Sequence, residues 1–246
     1  MAEGLLLRGV TARAGYFELR ADVAVPAGSV TAVLGPSGGG KSTLLAAVAG
    51  FVPVSGQVLW NGAEITGLPP GQRPVSTLFQ DNNLFGHLTV AQNIGLGIDP
   101  RLRLGAEDRA RIAAVLGRLG LEGMGGRKPA ALSGGQQSRV ALGRVLLADR
   151  PLVLLDEPFA ALGPGLRQEM LDLAAGMLRD AGRTVLLVTH DPDDAARVAG
   201  QVLVVQDNRV TGPLPAREAL DRDHGPLSAY LGGAVGQDPP YGRSGP

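Results

Sequence analysis

The sequence predicts an α/β fold built around a mostly parallel sheet, and two patterns support this prediction. Short runs that are nearly all apolar are typical of strands that are buried on both faces, as in parallel sheets. Such runs stand at 30–34, 152–155, 184–188 and 202–205. Longer segments with helical patterns separate the runs, which favours strands joined through crossover helices.

The helices are predicted from their apolar faces and their ends. Four segments have helical patterns: 41–49, 106–119, 133–148 and 164–181. Gly50 can end the first helix, and Ser133 can cap the third. The second helix carries its apolar residues on one face, at Ile112, Val115, Leu116 and Leu119.

The rest of the chain divides into strand-like pieces and a tail. Residues 5–35 and 54–80 contain short strand-like pieces, in which apolar and polar residues alternate and Gly or Pro separates one piece from the next. We expect one domain over 1–231. The segment 232–246 is rich in Gly and Pro, which predicts a disordered tail.

Composition excludes several classes of function. The 246 residues carry 23 Lys+Arg and 23 Asp+Glu, so the net charge is zero and a nucleic-acid partner is not expected. The chain has no cysteine, which excludes disulfides and thiolate metal sites. It has no apolar run long enough to span a bilayer. We therefore expect a cytosolic chain that reaches a membrane only through a partner.

A phosphate-binding loop follows the first apolar run. Residues 35–43 read GPSGGGKST, which is G-x-x-x-x-G-K-S between a strand and a helix. The backbone N–H groups of Gly38, Gly39, Gly40 and Lys41 can converge on phosphate oxygens at the helix N-terminus. Lys41 supplies positive charge at the phosphates, and the Ser42 hydroxyl can ligate Mg²⁺.

Two strand ends add acid–base groups. LVLLDEP (152–158) places Asp156 and Glu157 where an apolar strand ends, and VLLVTHD (185–191) places His190 at the end of another. Ligands of open α/β sheets bind at such carboxyl ends. Asp156 is a candidate Mg²⁺ ligand and Glu157 a candidate base for the attacking water. His190 is a candidate contact to the γ-phosphate.

LSGGQ (132–136) narrows the choice among phosphate-loop proteins. With GPSGGGKST and LVLLDEP, it makes residues 1 to about 231 resemble the ATP-binding subunits of ABC transporters. The resemblance implies a P-loop ATPase core with a mostly parallel sheet, an N-terminal antiparallel β subdomain and a helical signature subdomain at about 84–150. It also implies a homodimer that sandwiches two ATP molecules with Mg²⁺.

The resemblance also implies roles for individual residues. Glu157, His190, Gln80 and Lys41 would be catalytic, and Ser42, Gln80 and Asp156 would hold Mg²⁺. The nucleotide would contact Gly35, Pro36, Ser37, Gly38, Gly39, Gly40, Lys41, Ser42 and Thr43 of one subunit, and Ser133, Gly134, Gly135 and Gln136 of the other. The family's adenine-stacking aromatic falls near Ala14, and Tyr16 and Phe17 stand just beyond it as candidate substitutes. We assign the contact to Tyr16.

The chain departs from the family at two further places. Ala160-Ala161-Leu162-Gly163 stands where the family usually has Ser-Ala-Leu-Asp, so a hydroxyl and a carboxylate are missing between the sites. Gln137-Ser138-Arg139 follows the signature where the family commonly carries more positive charge. Neither departure removes the lysine, Mg²⁺ or glutamate chemistry.

Within the family the chain looks most like thiamine importers. PVSTLFQDNNLFGHLTVAQNIGLG (74–97), PPGQRPVS (69–76) and GLRQEM (165–170) carry this similarity. The alternatives are an importer of another solute, such as iron, sulfate or a polyamine, or an ABC-type ATPase without a transport role.

An importer ATPase implies further partners. These are integral-membrane permease subunits and a periplasmic or extracellular substrate-binding protein, with the chain peripheral on the cytoplasmic face of the bacterial inner membrane. Leu84, Phe85 and Leu88 are apolar residues in a polar loop, which suits a wall of the groove that receives the permease.

Overall fold

The computed structural model describes residues 4–221, 225–228 and 231. The predicted tail, 232–246, lies outside these residues. Ten strands of the described residues form one sheet, which has a parallel half and an antiparallel half. None of the helices in the described ranges has the length and apolar character needed to span a bilayer.

The parallel half of the sheet confirms the predicted fold class. Its strands are β3 (Val30–Leu34), β6 (Val75–Leu78), β7 (Leu152–Asp156), β8 (Thr184–Val188) and β9 (Gln201–Gln206). Neighbouring strands in the order β9-β3-β8-β7-β6 pair in parallel, so their carboxyl ends lie at one edge.

The other half is antiparallel. It contains β1 (Gly4–Ala14), β2 (Phe17–Pro26), β4 (Val54–Trp60) and β5 (Ala63–Glu64). A tenth strand, β10 (Arg209–Pro215), was not predicted from the sequence. It pairs antiparallel with β9 and in parallel with β2 over two residues, and thereby joins the two halves. The order of strands in the whole sheet is β5-β4-β1-β2-β10-β9-β3-β8-β7-β6.

Seven α-helices and two short 3-10 helices, Pro70–Gln72 and Pro129–Ala131, complete the described part of the chain. The α-helices are α1 (Lys41–Ala49), α2 (Val90–Gly95), α3 (Ala106–Arg118), α4 (Gly134–Leu147), α5 (Pro164–Asp180), α6 (Pro192–Val198) and α7 (Ala216–Ala219). Gly50 ends α1 in the left-handed conformation, and Ser133 caps α4, both as predicted. The division that places a helical subdomain at 84–150 stays a prediction, although α2, α3 and α4 fall within that range.

Side chains alternate between two cores across the parallel strands. Leu152, Leu154 and Leu186 pack with α1 and the antiparallel strands, whereas Val153 and Leu155 pack with helices on the opposite face. Alternate residues of a strand point to opposite faces. Both faces are covered, and this explains why most residues of these strands are apolar.

Candidate functional site

The predicted phosphate loop connects β3 to α1 and borders an open groove of about 290 Å³. The groove is lined by Ala14, Phe17, Ser37, Gly38, Gly40, Lys41, Ser42, Thr43 and Glu157. Two glycines permit the loop's path. A Cβ at Gly35 would lie 2.0 Å from the backbone oxygen of Val205, and Gly40 has a positive φ of 105° immediately before the helix.

Lys41 lies at the inner end of this groove. Its side chain is buried, and its Nζ donates to the backbone oxygens of Gly35 and Pro36, each at 2.9 Å. An ammonium group has three donors, so one remains for a phosphate oxygen. Burial lowers the pKa of Lys41, while the carboxylates of Glu157 and Asp156 act in the opposite direction.

Ser42 and Asp156 form a pair of oxygen ligands beside the loop. The Ser42 hydroxyl donates to Oδ1 of Asp156 at 3.2 Å. Burial raises the pKa of Asp156, which the hydrogen bond from Ser42 partly offsets. Hydroxyl and carboxylate oxygens suit Mg²⁺, which usually keeps waters and substrate phosphates as its other ligands. In the described ranges no group of three or more His, Cys, Asp or Glu residues can hold a metal, so phosphate oxygens would have to complete this site.

Glu157 and His190 meet at the same sheet edge. Nδ1 of His190 lies 3.2 Å from Oε2 of Glu157, with the two side chains 52% and 27% exposed. Glu157 has a positive φ of 44°, and its N–H donates to the backbone oxygen of Val188 at 3.1 Å. This places a carboxylate that lines the groove in contact with an imidazole from the neighbouring strand.

Gln80 lies at the same edge but outside the groove lining. It follows β6, whose Leu78 pairs with Leu155 of β7, and its side chain is exposed. Its predicted contact with Mg²⁺ stays a prediction.

The signature residues lie elsewhere on the molecule. The Ser133 hydroxyl accepts from the backbone N–H of Gln136 at 3.3 Å, and the Gln136 side chain accepts from the N–H of Ser133 at 3.0 Å. This capping box fixes the start of α4, where Gly134 is exposed and Gly135 is buried. None of the four residues lines the groove at the phosphate loop of the same chain.

Tyr16 also lies outside the groove. Gly15 and Tyr16 form the two-residue turn between β1 and β2, and the Tyr16 ring is fully exposed. The next residue, Phe17, lines the groove, and its ring packs so closely that a Cβ at Gly40 would lie 2.8 Å from its Cζ. The assignment of Tyr16 to adenine stays a prediction.

Sequence reasoning missed a group of polar residues behind His190. Arg167, from the first turn of α5, pairs with Asp191 and Asp194 at the start of α6. The two residues beside His190 are Thr189 and Asp191, and both belong to this group. VTHD and GLRQEM contain three of these residues, but nothing in the sequence shows that the two segments touch.

Comparison with known proteins shows the family to which the chain belongs. The profile of the ABC transporter family matches residues 20–160, which is more than half of the chain. The thiamine import ATP-binding protein ThiQ of Cereibacter sphaeroides is 58% identical over 89% of this chain and 96% of the relative. The protein of the same name from a Ruegeria species is 52% identical over 93% and 99%.

Two solved structures are similar in fold. A nucleotide-free ATP-binding cassette from an ABC transporter superposes with a TM-score of 0.77 at 26% identity, over 85% of this chain and 90% of that one. A dimeric ATP-binding cassette in a post-hydrolysis state, bound to ADP and Pi, gives 0.74 at 29% identity, over 87% and 99%. The chain therefore belongs to the ABC transporter family and is one of its ATP-binding proteins.

Proposed function

We propose that this chain is the ATP-hydrolysing subunit of an importer for thiamine or its phosphates. The hydrolytic part rests on one observation: Lys41, the Ser42–Asp156 pair and the Glu157–His190 pair meet beside one groove. The thiamine part is supported by relatives of 58% and 52% identity, which are themselves named as thiamine import ATP-binding proteins.

The phosphates bind at the start of α1 in this proposal. The free donor of Lys41 and the N–H groups of Gly38, Gly39 and Gly40 receive their negative charge. Ser42 and Asp156, with Gln80 from the end of β6, hold Mg²⁺. When bound, Mg²⁺ neutralises charge that develops on the phosphate oxygens.

Glu157 is the proposed base. Its carboxylate lines the groove, where it can orient a water molecule and accept its proton. His190 contacts that carboxylate through Nδ1, and in the proposal its imidazole also contacts the γ-phosphate. General-base catalysis of this kind contributes about 10²–10⁴-fold to a rate.

Two copies of the chain form each ATP site in the proposal. Residues Ser133 to Gln136 of one copy cover the phosphate loop of the other. Their absence from the lining of their own chain's groove supports this arrangement, as does the dimer seen in a similar cassette. A serine and glycines at a helix N-terminus suit contact with a phosphate.

The membrane partner is proposed to bind beside Phe85. An open groove of about 440 Å³ is lined there by Thr77, Phe79, Asn83, Leu84, Phe85 and Arg144. Phe85 is 49% exposed, and apolar anchors within a polar rim are typical of protein interfaces. Permease subunits in this groove, together with a substrate-binding protein, would place the chain on the cytoplasmic face of the bacterial inner membrane.

Uptake by cells that lack the gene tests the proposal. Cells complemented with the wild-type chain should take up radiolabelled thiamine, whereas cells complemented with Glu157→Gln should not. Sulfate, iron and polyamine uptake should be equal in the two strains. Thiamine uptake that is unaffected by loss of the gene would contradict thiamine as the transported substrate. A change in the uptake of sulfate, iron or polyamines would indicate that solute as the substrate instead.

A further inference from the structure

A charged cluster lies directly behind His190. We use the name Arg167 cluster for Arg167, Thr189, Asp191 and Asp194. Arg167 pairs with Asp191, and its Nη2 lies 3.2 Å from Oδ1 of Asp194. One guanidinium from α5 thus contacts two carboxylates at the start of α6.

The cluster is largely removed from solvent. Thr189 and Asp194 are 4% and 5% exposed, and the Arg167 side chain is 18% exposed. Burial raises the pKa of Asp194, while the hydrogen bond from Thr189 and the charge of Arg167 act in the opposite direction. A buried carboxylate needs such partners, and loss of the guanidinium would leave two negative charges facing each other.

Both chain neighbours of His190 are held by this cluster. Thr189 donates through Oγ1 to Oδ2 of Asp194 at 3.0 Å, and accepts from the N–H of Asp191 at 3.1 Å. Asp191 is also the cap of α6, because its Oδ1 accepts from the N–H of Asp193 at 2.9 Å. The backbone on each side of the imidazole is therefore fixed by contacts that converge on Arg167.

The cluster is adjacent to the proposed catalytic pair. A cavity of only about 10 Å³ is bordered by Glu157 and His190 and by Arg167, Thr189 and Asp194. Because this cavity is so small, little space separates the Arg167 cluster from the Glu157–His190 pair. A displacement of the Arg167 cluster would therefore alter the contact between Glu157 and His190.

We propose that Arg167 is a positioning residue that sets the orientation of His190 towards Glu157 during ATP hydrolysis. This rests on the proposed function of the Glu157–His190 pair. Arg167 does not line the groove at the phosphate loop and acts through the loop that carries the imidazole.

The molecule supplies a matched control for a purely structural role. Arg197 of α6 pairs with Asp172 of α5 through two contacts of 2.6 and 2.5 Å, so the same two helices are joined a second time. That pair is exposed. Arg167→Met removes the pairs with Asp191 and Asp194, and Arg197→Met removes the pair with Asp172. Each variant thus removes an arginine that links α5 to the α6 region, and only Arg167 contacts the residue next to His190.

The first measurement is ATP turnover in the complete transporter. Arg167→Met should lower kcat at least about tenfold, with KM for ATP and nucleotide affinity changed by less than about twofold, because ground-state binding is not involved. Arg197→Met should keep kcat within about twofold. Asp191→Asn, which retains the helix cap but loses the charge that pairs with Arg167, should lower kcat in the same way.

The second measurement reports on the imidazole itself. The chain has three histidines, so replacing His87 and His224 by Gln leaves His190 as the only imidazole in an NMR spectrum. Its ring signals should shift in Arg167→Met and stay unchanged in Arg197→Met. A structural link alone would not produce this difference.

The outcomes separate the inference from the proposed function. If Arg167→Met keeps the wild-type kcat, if its His190 signals do not move, or if Arg197→Met loses as much activity, the positioning role is wrong. If Arg167→Met does not fold, Asp191→Asn decides the matter by the same two measurements. A wild-type complex without ATPase activity, or an active Glu157→Gln complex, would instead overturn the proposed function.

Discussion

At the scale of single residues, Lys41 and Asp156 are the charges whose environment matters most. Lys41 is buried beside two backbone oxygens, and Asp156 is half-buried against the Ser42 hydroxyl. Burial acts on both in the direction that disfavours the charged form. Bound ATP and Mg²⁺ would offset this effect of burial, because the phosphates bring negative charge to Lys41 and Mg²⁺ brings positive charge to Asp156.

Lys41→Ala should lower kcat/KM for ATP by at least about 100-fold, since it removes a charged donor aimed at the phosphates. The matched control is Lys128→Ala, which changes the only other lysine of the sequence at an exposed position. ATPase assays of the permease complex measure both. Turnover by Lys41→Ala equal to that of the control would contradict the phosphate-loop assignment.

Asp156→Asn should raise the free energy of unfolding at about pH 7 in the absence of nucleotide and Mg²⁺. The pKa of Asp156 is raised above its ordinary value of 3.8 in the folded chain, so the folded state holds the proton more tightly than the unfolded state. The resulting destabilisation is absent below the ordinary pKa and grows as the pH rises through the raised value. The difference from wild type should therefore disappear towards about pH 3.

Asp172→Asn gives a control of opposite sign. Arg197 lowers the pKa of Asp172, so this carboxylate contributes stability at neutral pH that is lost as the pH falls. The effect should be small because the pair is exposed. Denaturant unfolding over a range of pH measures both variants, and a stability gain in Asp156→Asn that persists in acid would contradict the assignment.

At the scale of elements, a buried side chain, Asn93, and a half-buried one, Arg144, shape the loop before α2. Asn93 of α2 accepts from the N–H of Phe85 at 2.8 Å and donates to the backbone oxygens of Phe85, Leu88 and Thr89. Arg144 of α4 donates to the backbone oxygens of the two asparagines Asn82 and Asn83, each at 2.8 Å. The helix that begins with the signature is therefore in direct contact with the loop that presents Phe85.

Phe85→Glu should abolish assembly with the permease while leaving ATP binding intact, because a charge replaces an exposed apolar anchor. Leu84→Glu is less informative, since Leu84 packs against the main core and its loss would also lower stability. Lys128→Glu is the control, as it places a glutamate at an exposed position outside this groove. Co-purification measures assembly, and normal recovery of the permease with Phe85→Glu would contradict the docking surface.

At the scale of the whole molecule, the two candidate parts of the proposed ATP site lie apart in the described chain. The phosphate loop, the acidic strand end and His190 lie together, whereas the start of α4 does not line their groove. Each part needs a complement from another copy, so ATP is expected to act as a bridge between two chains.

Glu157→Gln should bind ATP and accumulate as a dimer, because hydrolysis slows by about 10²–10⁴-fold when the base is lost. Light scattering with ATP and Mg²⁺ measures the mass. Adding Ser133→Arg to the same variant should return it to the monomer, since a large cation at the exposed start of α4 blocks the bridge. A Glu157→Gln chain that stays monomeric in ATP would contradict the sandwich arrangement.

The structural features that the sequence predicted are those determined by residues close together in the chain. The apolar run 184–188 and the glycine that ends α1 are recognisable from neighbouring residues alone, and so is the cap at Ser133. That Phe17 and not Tyr16 lines the groove depends on which residues form the β1–β2 turn, which the alternation of apolar and polar residues does not fix. The Arg167 cluster and the buried Asn93 depend on contacts between segments far apart in the chain, and no local pattern marks them.

The left-handed backbone at Glu157 has a consequence for how this chain can evolve. A φ of 44° costs a glutamate about 1–2 kcal/mol, and its charge also raises the pKa of the adjacent Asp156. Asn adopts this conformation more readily, so Glu157→Asn should raise the melting temperature while removing ATP turnover, as calorimetry and ATPase assays would show. Selection for stability alone would replace this glutamate. We therefore expect that Glu157 is retained for ATP turnover and lowers the stability of the fold.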